Sequence, residues 1–478
     1  MKHRFHFNFF WLAALALLLV VSLPVFAQSS NAASVGSALR RIFSAHDYNT
    51  RVVMSGTGLL GIACGVVGAF MVLRKKALFG DAVSHATLPG IALAFLLAVA
   101  MGGTGKNMPI LLLGAGLAGL LGMTVILVIR NSTRLPEDAI LGIVLSVFFG
   151  AGIALLGVAQ RVNTASAAGL ETFIYGKTAS MLGEDGRRIA WCATALLGIC
   201  ALLFKEFRAL CFDAEFARTQ GWPVRSLDAL MMGMVVVTTV IGLQAVGLIL
   251  VIALLIIPPS AARFWTEDLR ALVLLAAAIG ALSGVLGSGV SATFPDLPAG
   301  GVIVLVAAAI FLLSFIFGRS RGLMVRAAAR VRLERRVNRQ NALRAMYEVS
   351  EQQPEHQPIP ESALRAVRYW PGVQLRRALR RLAREDLARE VLDGWVLTAD
   401  GREEARKMVR NHRLWELYLI HHADVAPSHV DRDADVIEHV LGQKMVADLE
   451  ALLAESSPKP PVPVSPHPIA AATRGGAS

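Results

Sequence analysis

The distribution of apolar residues divides the chain into two parts. Runs of about twenty apolar residues recur up to Phe317, whereas the sequence after Gly318 is rich in arginine and mixes polar with apolar positions. A helix of about twenty apolar residues is long enough to cross a hydrocarbon layer of about 30 Å. The pattern therefore predicts a membrane-embedded body followed by a water-soluble C-terminal region.

The apolar runs predict nine transmembrane helices, at about residues 52–73, 87–102, 109–130, 138–158, 188–204, 227–243, 246–264, 270–289 and 300–317. A shorter apolar run comes before them. Lys2 and Arg4 precede it, and it closes on Val25-Phe26-Ala27, which is the layout of a secretory signal. Residues 1–27 are therefore either a cleaved signal peptide or an extra N-terminal helix.

Basic residues set the orientation of the predicted spans. They follow the first, third, fifth, seventh and ninth spans, as Arg74, Arg130, Arg208, Arg263 and Arg319 illustrate. Basic loops stay on the cytoplasmic side of a membrane. The sequence thus predicts a multi-pass protein of the bacterial inner (cytoplasmic) membrane with a cytoplasmic C-terminal region.

Composition agrees with this division and limits the chemistry. Hydrophobic residues make up 55% of the 478 positions and charged residues only 17%, which is low for a soluble protein. The phosphate-binding pattern G-x-x-x-x-G-K-S/T does not occur in the sequence. We therefore expect no enzymatic activity of the chain's own, and any ATP hydrolysis would require a separate subunit.

One polar segment stands out at the beginning of the second predicted span. Within it, Asp81 and His85 are four residues apart and would share a face of a helix. Carboxylate and imidazole together suit a divalent ion such as manganese, iron or zinc, and ionisable groups at membrane depth commonly line transport pathways. Alternatively, Asp81 caps a helix at the interface and His85 makes a buried hydrogen bond.

Four stretches resemble the metal-permease branch of the ABC importers, and a fifth fits. They read FGDAVSHATLPGIALAFLL, PEDAILGIVLSVFFGAGIALL, FDAEFARTQGWPV, VGLILVIALLIIPPSAARFWT and, last, DLPAGGVIVLVAAAIFLLSFIFG. The resemblance covers about residues 50–318. It implies import of Mn²⁺, Zn²⁺ or Fe²⁺, with Asp81 and His85 in the pathway. The implied partners are an ABC ATPase subunit, an extracytoplasmic metal-binding protein and a second permease subunit, identical or different.

A polar segment from Phe212 to Val224 lies between two predicted spans on the basic side. The resemblance implies that it is the coupling helix that contacts the ATPase, with Asp213, Glu215 and Arg218 as contact residues. The alternative is an ordinary solvated loop.

The region after the spans begins with a basic segment at 319–337. Arginine recurs nine times between Arg319 and Arg344, against the single acid Glu334. Next to a membrane, such a run favours binding of anionic lipid headgroups, with nucleic acid as the second interpretation.

Residues 338–399 have the pattern of a winged helix. It predicts a helix at 339–352, a basic helix at 373–388 and two short strands that turn at Asp393-Gly394. A basic helix in this position can enter a DNA major groove, and its contact residues would be Arg376, Arg377, Arg380, Arg381 and Arg384. A winged helix that contacts only protein is the alternative.

Residues 400–455 predict helices that carry metal-ligand residue types. His412 and Glu416 are one turn apart, and a second face carries Asp431, Asp435, Glu438 and His439. Together with the preceding wing, about residues 338–455, these motifs resemble the diphtheria-toxin-repressor family. The resemblance implies metal binding by His412, Asp435, Glu438 and His439, with Glu416 and Asp431 as auxiliary ligands, and dimerisation.

One position departs from that family. Its first helix also supplies metal ligands, and here the matching positions are Asn341 and Arg344. An arginine cannot ligate a cation. We therefore expect a weakened or incomplete metal site. Residues 456–478 are rich in proline and predict disorder.

The sequence as a whole predicts an all-α polytopic membrane protein with a cytoplasmic α+β winged-helix domain and a helical metal-binding segment. The function that fits is a divalent-metal permease with a repressor-like metal-sensing domain. Two rivals remain. One is a membrane-tethered, metal-dependent transcription factor whose spans no longer transport, and the other is a permease for haem or a chelated metal.

Overall fold

The structure is a computed structural model of the chain. It describes residues 48–103, 107–162, 176, 178–294, 297–354, 357–367, 370 and 372–422. The predicted signal at 1–27, the proline-rich tail and the metal-ligand candidates Asp431, Asp435, Glu438 and His439 lie outside these residues. The chain forms two compact units, residues 1–325 and 326–478, and each is described by itself.

The first unit is helical throughout its described residues. Its helices are α1 Tyr48–Leu73, α2 Ala77–Ala100, α3 Met108–Ser132, α4 Glu137–Val162, α5 Gly183–Leu202, α6 Phe204–Phe212, α7 Ala214–Thr219, α8 Val224–Val246, α9 Leu248–Ala262, α10 Leu269–Thr293 and α11 Ala299–Phe317, with a single 3₁₀ turn at Thr178–Ser180. α12, Leu323–Glu351, begins at the end of this unit.

Seven of the described helices are long and apolar enough to cross a membrane, namely α1, α2, α3, α4, α8, α10 and α11. The other two predicted spans are also helices but fall short. α5 carries Glu184, Asp185, Arg187 and Arg188 in its first two turns. α9 has only 15 residues, about 22 Å, because Gly247 breaks the chain before it with a φ of +84°. Nine full spans are therefore not confirmed.

Helices α1 and α10 make the most extensive helix–helix contact among the described residues of the first unit. Gly61 and Gly65 of α1 face the backbone of α10, and Gly280 and Gly284 of α10 face that of α1. These spacings are small-x-x-x-small patterns, which let two helix backbones approach within a membrane. The Thr57 hydroxyl donates across this contact to the Gly284 carbonyl at 3.1 Å.

We predict opposite effects for two glycine-to-alanine changes. A Cβ at Gly61 would lie inside the contact distance of the Gly280 carbonyl oxygen, whereas a Cβ at Gly116 of α3 would meet nothing within 4 Å. Gly61→Ala should lower the free energy of unfolding by about 1–3 kcal/mol through overpacking. Gly116→Ala should raise it by about 0.5 kcal/mol, because alanine loses less backbone entropy than glycine in a helix. Thermal unfolding in detergent measures both, and equal shifts would contradict the α1–α10 contact.

The second unit contains the predicted wing. Its elements are the C-terminal part of α12, then α13 Glu361–Val367, α14 Gly372–Arg384, β1 Ala388–Val391, β2 Gly394–Leu397 and α15 Ala399–His422. β1 and β2 pair antiparallel with Ala388 opposite Leu397, and Ile359 bridges Trp395 on the other side of β2. Trp370, Trp395, Leu379 and their neighbours form a separate core.

Two predicted boundaries were wrong. The basic helix ends at Arg384 rather than at 388, because Asp386 takes a positive φ of +56° and leads into β1. The helix predicted at 339–352 begins earlier, because α12 starts at Leu323 and runs to Glu351.

Candidate functional site

The Asp81 and His85 pair lies inside α2 and not in front of it. The predicted second span began at residue 87, but α2 begins at Ala77, so Asp81 is in the second turn and does not cap the helix. His85 Nε2 lies 3.3 Å from Asp81 Oδ1, and the two side chains are 21% and 31% exposed. The sequence prediction that they share a helix face is therefore confirmed by their distance.

Phe149 and Pro89 contribute to the surroundings of His85. Its ring packs edge-on against Phe149 of α4 with centroids 4.9 Å apart, and its Nδ1 is buried without a hydrogen-bond partner among the described residues. Pro89 lies within α2 and lacks the amide that would otherwise donate to the carbonyl oxygen of His85. A carboxylate, an imidazole and a missing backbone hydrogen bond thus occur within about two turns of α2. The sequence reading missed Phe149 and the effect of Pro89.

The neighbouring hydroxyls are engaged elsewhere. Ser84 Oγ donates to the Gly80 carbonyl at 2.6 Å, and Thr87 Oγ1 donates to the Ser84 carbonyl at 2.6 Å. Both side chains are buried. Asp81 and His85 are therefore the side chains of this segment that keep polar atoms available.

A buried charge cluster joins four helices at one end of the first unit. Asp228 of α8 is 4% exposed in its side chain and accepts from Lys76 Nζ at 2.5 Å, Arg130 at 3.0 Å and Arg74 at 3.4 Å. Burial lowers the pKa of the Lys76 ammonium, and the Asp228 carboxylate acts in the opposite direction. We call this the Asp228 cluster.

The Asp228 cluster brings together helix ends that the sequence analysis predicted to lie on the same side of the membrane. Arg74 also donates to the Leu210 carbonyl of α6 at 3.1 Å, so α6 and α7 belong to the same end. At the opposite end, Gln244 of α8 donates to Asp185 of α5 at 2.9 Å. Sequence analysis missed Asp228, although an acid four residues into an apolar span is itself a signal.

The predicted coupling segment is a short exposed helix. Asp213 caps α7 by accepting from the Glu215 and Phe216 amides at 3.0 Å each, and Gly221 follows α7 with a φ of +82°. Glu215 and Arg218 pair at 3.2 Å with side chains 80% and 59% exposed. The Asp213 carboxylate thus caps α7, whereas the side chains of Glu215 and Arg218 are exposed.

A groove of about 790 Å³ lies beside α7. Its walls come from α6, the start of α7 and the turn between α9 and α10, and they combine exposed aromatic rings with charges of both signs: Phe204, Lys205, Arg208, Ala209, Phe212, Asp213, Phe216, Glu267, Asp268, Leu269 and Arg270. Exposed aromatic residues rimmed by charge are typical of a protein-binding surface. The sequence pattern did not show this groove, because its walls are distant along the chain.

The five arginines of α14 share its exposed face. Leu375, Ala378, Leu379 and Leu382 are buried on the opposite face. Two of the arginines are held by acids, Arg376 by Glu361 at 3.1 Å and Arg381 by Glu385 at 3.1 Å. The position of Arg376, Arg377, Arg380, Arg381 and Arg384 is that predicted, and DNA contact by them stays a prediction.

In the second unit, His412 and Glu416 are brought together deep in the interior. His412 Nε2 lies 3.1 Å from Glu416 Oε1, and the side chains are 1% and 0% exposed. The other ring nitrogen, Nδ1, lies 3.1 Å from the Arg344 guanidinium, which also donates to Glu348 at 2.6 Å. No group of three His, Cys, Asp or Glu side chains among the described residues is placed to hold a metal ion.

Apolar spans with a polar pair in their interior and charged groups at one end define a polytopic membrane protein of the transporter class. Residues 46–318 match the family described as "ABC 3 transport family". The chain belongs to this family. Residues 398–462 match "Iron dependent repressor, metal binding and dimerisation domain", so a repressor-type domain follows the permease.

Individual relatives agree with the family assignment. The chain is 41% identical to the "Manganese transport system membrane protein MntC" of Bacillus subtilis (strain 168), over 80% of this chain and 87% of the relative. It is 47% identical to the "Zinc transport system membrane protein TroC" of Treponema pallidum (strain Nichols), over 60% of this chain and 94% of the relative. The solved structure "PsaBC from Streptococcus pneumoniae in complex with Fab" superposes with a TM-score of 0.52 and 30% identity, covering 60% of this chain and 98% of that one.

Proposed function

We propose that the chain is the permease subunit of an ATP-driven importer of a divalent transition metal ion, either manganese or zinc. The observation that carries the proposal is the Asp81–His85 pair, which sets a carboxylate and an imidazole 3.3 Å apart within a membrane helix. Nitrogen and oxygen donors of this kind suit both ions. The relatives named for manganese and zinc transport support the same substrate class.

A separate ATPase subunit would supply the energy. The groove beside α7 has the aromatic and charged character of a protein-binding surface, and it lies at the end of the unit that carries the Asp228 cluster. Because basic residues concentrate at this end, we assign it to the cytoplasmic side, where an ATPase subunit would bind. ATP binding would move α7, and the spans would rock around the polar pair.

The remaining partners follow from the proposed direction of transport. An extracytoplasmic binding protein would deliver the ion to the end that carries Asp185 and Gln244. A second permease subunit would complete the pathway. The exposed arginines of α12 would rest against anionic lipid headgroups on the cytoplasmic side.

We predict that cysteines placed at Glu215 and Arg218 crosslink to the ATPase subunit. Both side chains are more than half exposed and lie next to the groove, so a short thiol crosslinker should reach the docked partner. The experiment uses membranes from the native host and a variant in which Cys64, Cys192, Cys200 and Cys211 are replaced. The crosslinked product is identified by mass spectrometry.

A cysteine at Glu184 is the matched control. This side chain is 68% exposed but lies at the opposite end, beside the Asp185–Gln244 bond. It should react with a membrane-impermeant thiol reagent from outside and should not capture the ATPase. Capture from Glu184 but not from Glu215 or Arg218 would invert the proposed topology and remove α7 from coupling.

A further inference from the structure

The repressor-type domain contains a buried cation beside His412, the residue to which the resemblance to the diphtheria-toxin-repressor family assigns metal binding. Arg344 of α12 is 5% exposed and extends its guanidinium between α12 and α15. It donates to Glu348 at 2.6 Å and lies 3.1 Å from His412 Nδ1, while His412 Nε2 lies 3.1 Å from Glu416. The guanidinium thus contacts one carboxylate and one imidazole, and a second carboxylate lies against the other nitrogen of that ring.

Both nitrogens of the His412 ring face protein groups. An arginine in a protein is always protonated and can only donate, so the Arg344 N–H donates to Nδ1. Nε2 lies 3.1 Å from Glu416 Oε1, so neither ring nitrogen is open to a metal ion. The described residues therefore do not fit the metal that the family description names.

The charges lead to the same conclusion. Bringing a divalent cation next to a buried guanidinium places like charges within a few ångströms of each other in a low-dielectric interior. Conversely, Glu348 is 6% exposed, and a buried carboxylate needs a compensating cation. Arg344 supplies this cation. Because it is part of the chain, it is present whether or not free metal is available.

We propose that the Arg344 guanidinium replaces the metal ion between α12 and α15, so that the second unit holds these helices together without metal. The domain then keeps the architecture of a metal-dependent repressor but does not respond to metal at this position. This inference concerns the second unit alone and does not depend on the transport function proposed for the first.

Hydrogen–deuterium exchange of α15 peptides in the detergent-purified full chain tests the proposal. It reports the local opening of this helix and is insensitive to metal bound in the membrane unit. In the wild-type protein, exchange of residues 400–416 should change by less than about twofold between excess chelator and excess Mn²⁺, because the cation is already present. Slowing by about tenfold or more on adding Mn²⁺ would show that metal binds here, and would overturn the proposal.

Two changes at residue 344 make the test specific. Arg344→Lys keeps a cation, so α15 should remain insensitive to Mn²⁺. Arg344→Glu replaces the cation with a third carboxylate, so exchange of α15 should accelerate by about tenfold or more in chelator and return toward the wild-type rate with Mn²⁺. If Arg344→Glu does not fold in chelator, its recovery when expressed and purified with Mn²⁺ gives the same answer. Indifference of α15 to Mn²⁺ in Arg344→Glu would overturn the proposal.

Arg413→Ala is the matched control. Arg413 is a second buried arginine and lies on α15. Its side chain is 6% exposed and pairs with Glu351 of α12 at 2.5 Å. Removing it should accelerate exchange of α15 as well, because Glu351 loses its partner. Mn²⁺ should not reverse that loss, because this ion pair is separate from the Arg344–Glu348 pair. Reversal by Mn²⁺ in Arg413→Ala would mean that metal acts on α15 from another site, and the interpretation of Arg344→Glu would fail with it.

Discussion

Replacing both Asp81 and His85 with alanine is expected to abolish uptake of Mn²⁺ and Zn²⁺ while the protein stays in the membrane at wild-type abundance. The two side chains supply the carboxylate and imidazole that lie 3.3 Å apart in α2. Changes to groups that only support a metal ligand typically cost about 10–100-fold, so loss of both ligands should reduce uptake by more than about 100-fold. The rate of ⁵⁴Mn or ⁶⁵Zn accumulation in cells measures the effect.

The fold should survive this change. Both residues are partly exposed, and the side-chain contact between them is the interaction that the double change removes. Ser84→Ala/Thr87→Ala is the control. These hydroxyls lie on the same two turns but are bonded to the helix backbone, so uptake should stay within about twofold of wild type. Wild-type uptake by the Asp81→Ala/His85→Ala protein would exclude the pair from the pathway.

The second large effect is expected at Asp228. Asp228→Ala leaves Arg74, Lys76 and Arg130 without the buried carboxylate that they share. Removing one partner of a buried charge pair costs about 3–5 kcal/mol, because the remaining charge stays desolvated. We expect a loss of this size in stability, seen as a lower unfolding temperature in detergent and less protein in the membrane.

Glu137→Gln separates burial from charge at the same cluster. Glu137 bonds to Arg130 at 3.4 Å, but its side chain is 46% exposed, so water screens the pair. Its loss should cost no more than about 1 kcal/mol. If the Asp228→Ala protein is as stable as the Glu137→Gln protein, water hydrates the three cations when the carboxylate is absent, and the prediction is wrong.

The sequence was most informative where interacting residues are close along the chain. The four-residue spacing of Asp81 and His85 predicted their contact, and the order of polar and apolar positions predicted the β1–β2 hairpin. Asp213, Glu215 and Arg218 likewise fall on one short helix. In each case a local period of the backbone determines which side chains meet.

The features that the sequence did not predict depend on contacts between distant segments. Asp228 meets Lys76 across 152 positions and Arg130 across 98, so no local pattern reveals the cluster. The sequence did indicate that Arg344 cannot ligate a metal, but not that its guanidinium would lie against His412 from 68 positions away. The shortness of α9 was also missed, because hydropathy does not register the positive φ at Gly247.

The Asp228 cluster also imposes an order on biogenesis. The ribosome delivers α1, α2 and α3 to the membrane before α8, so Arg74, Lys76 and Arg130 emerge well ahead of the acid that neutralises them. Until then their charges need headgroups or water, which favours separation of the helix ends that carry them. The arrival of α8 lets those ends close around one carboxylate. A nascent chain arrested before residue 228 would therefore lack the carboxylate that joins these helix ends.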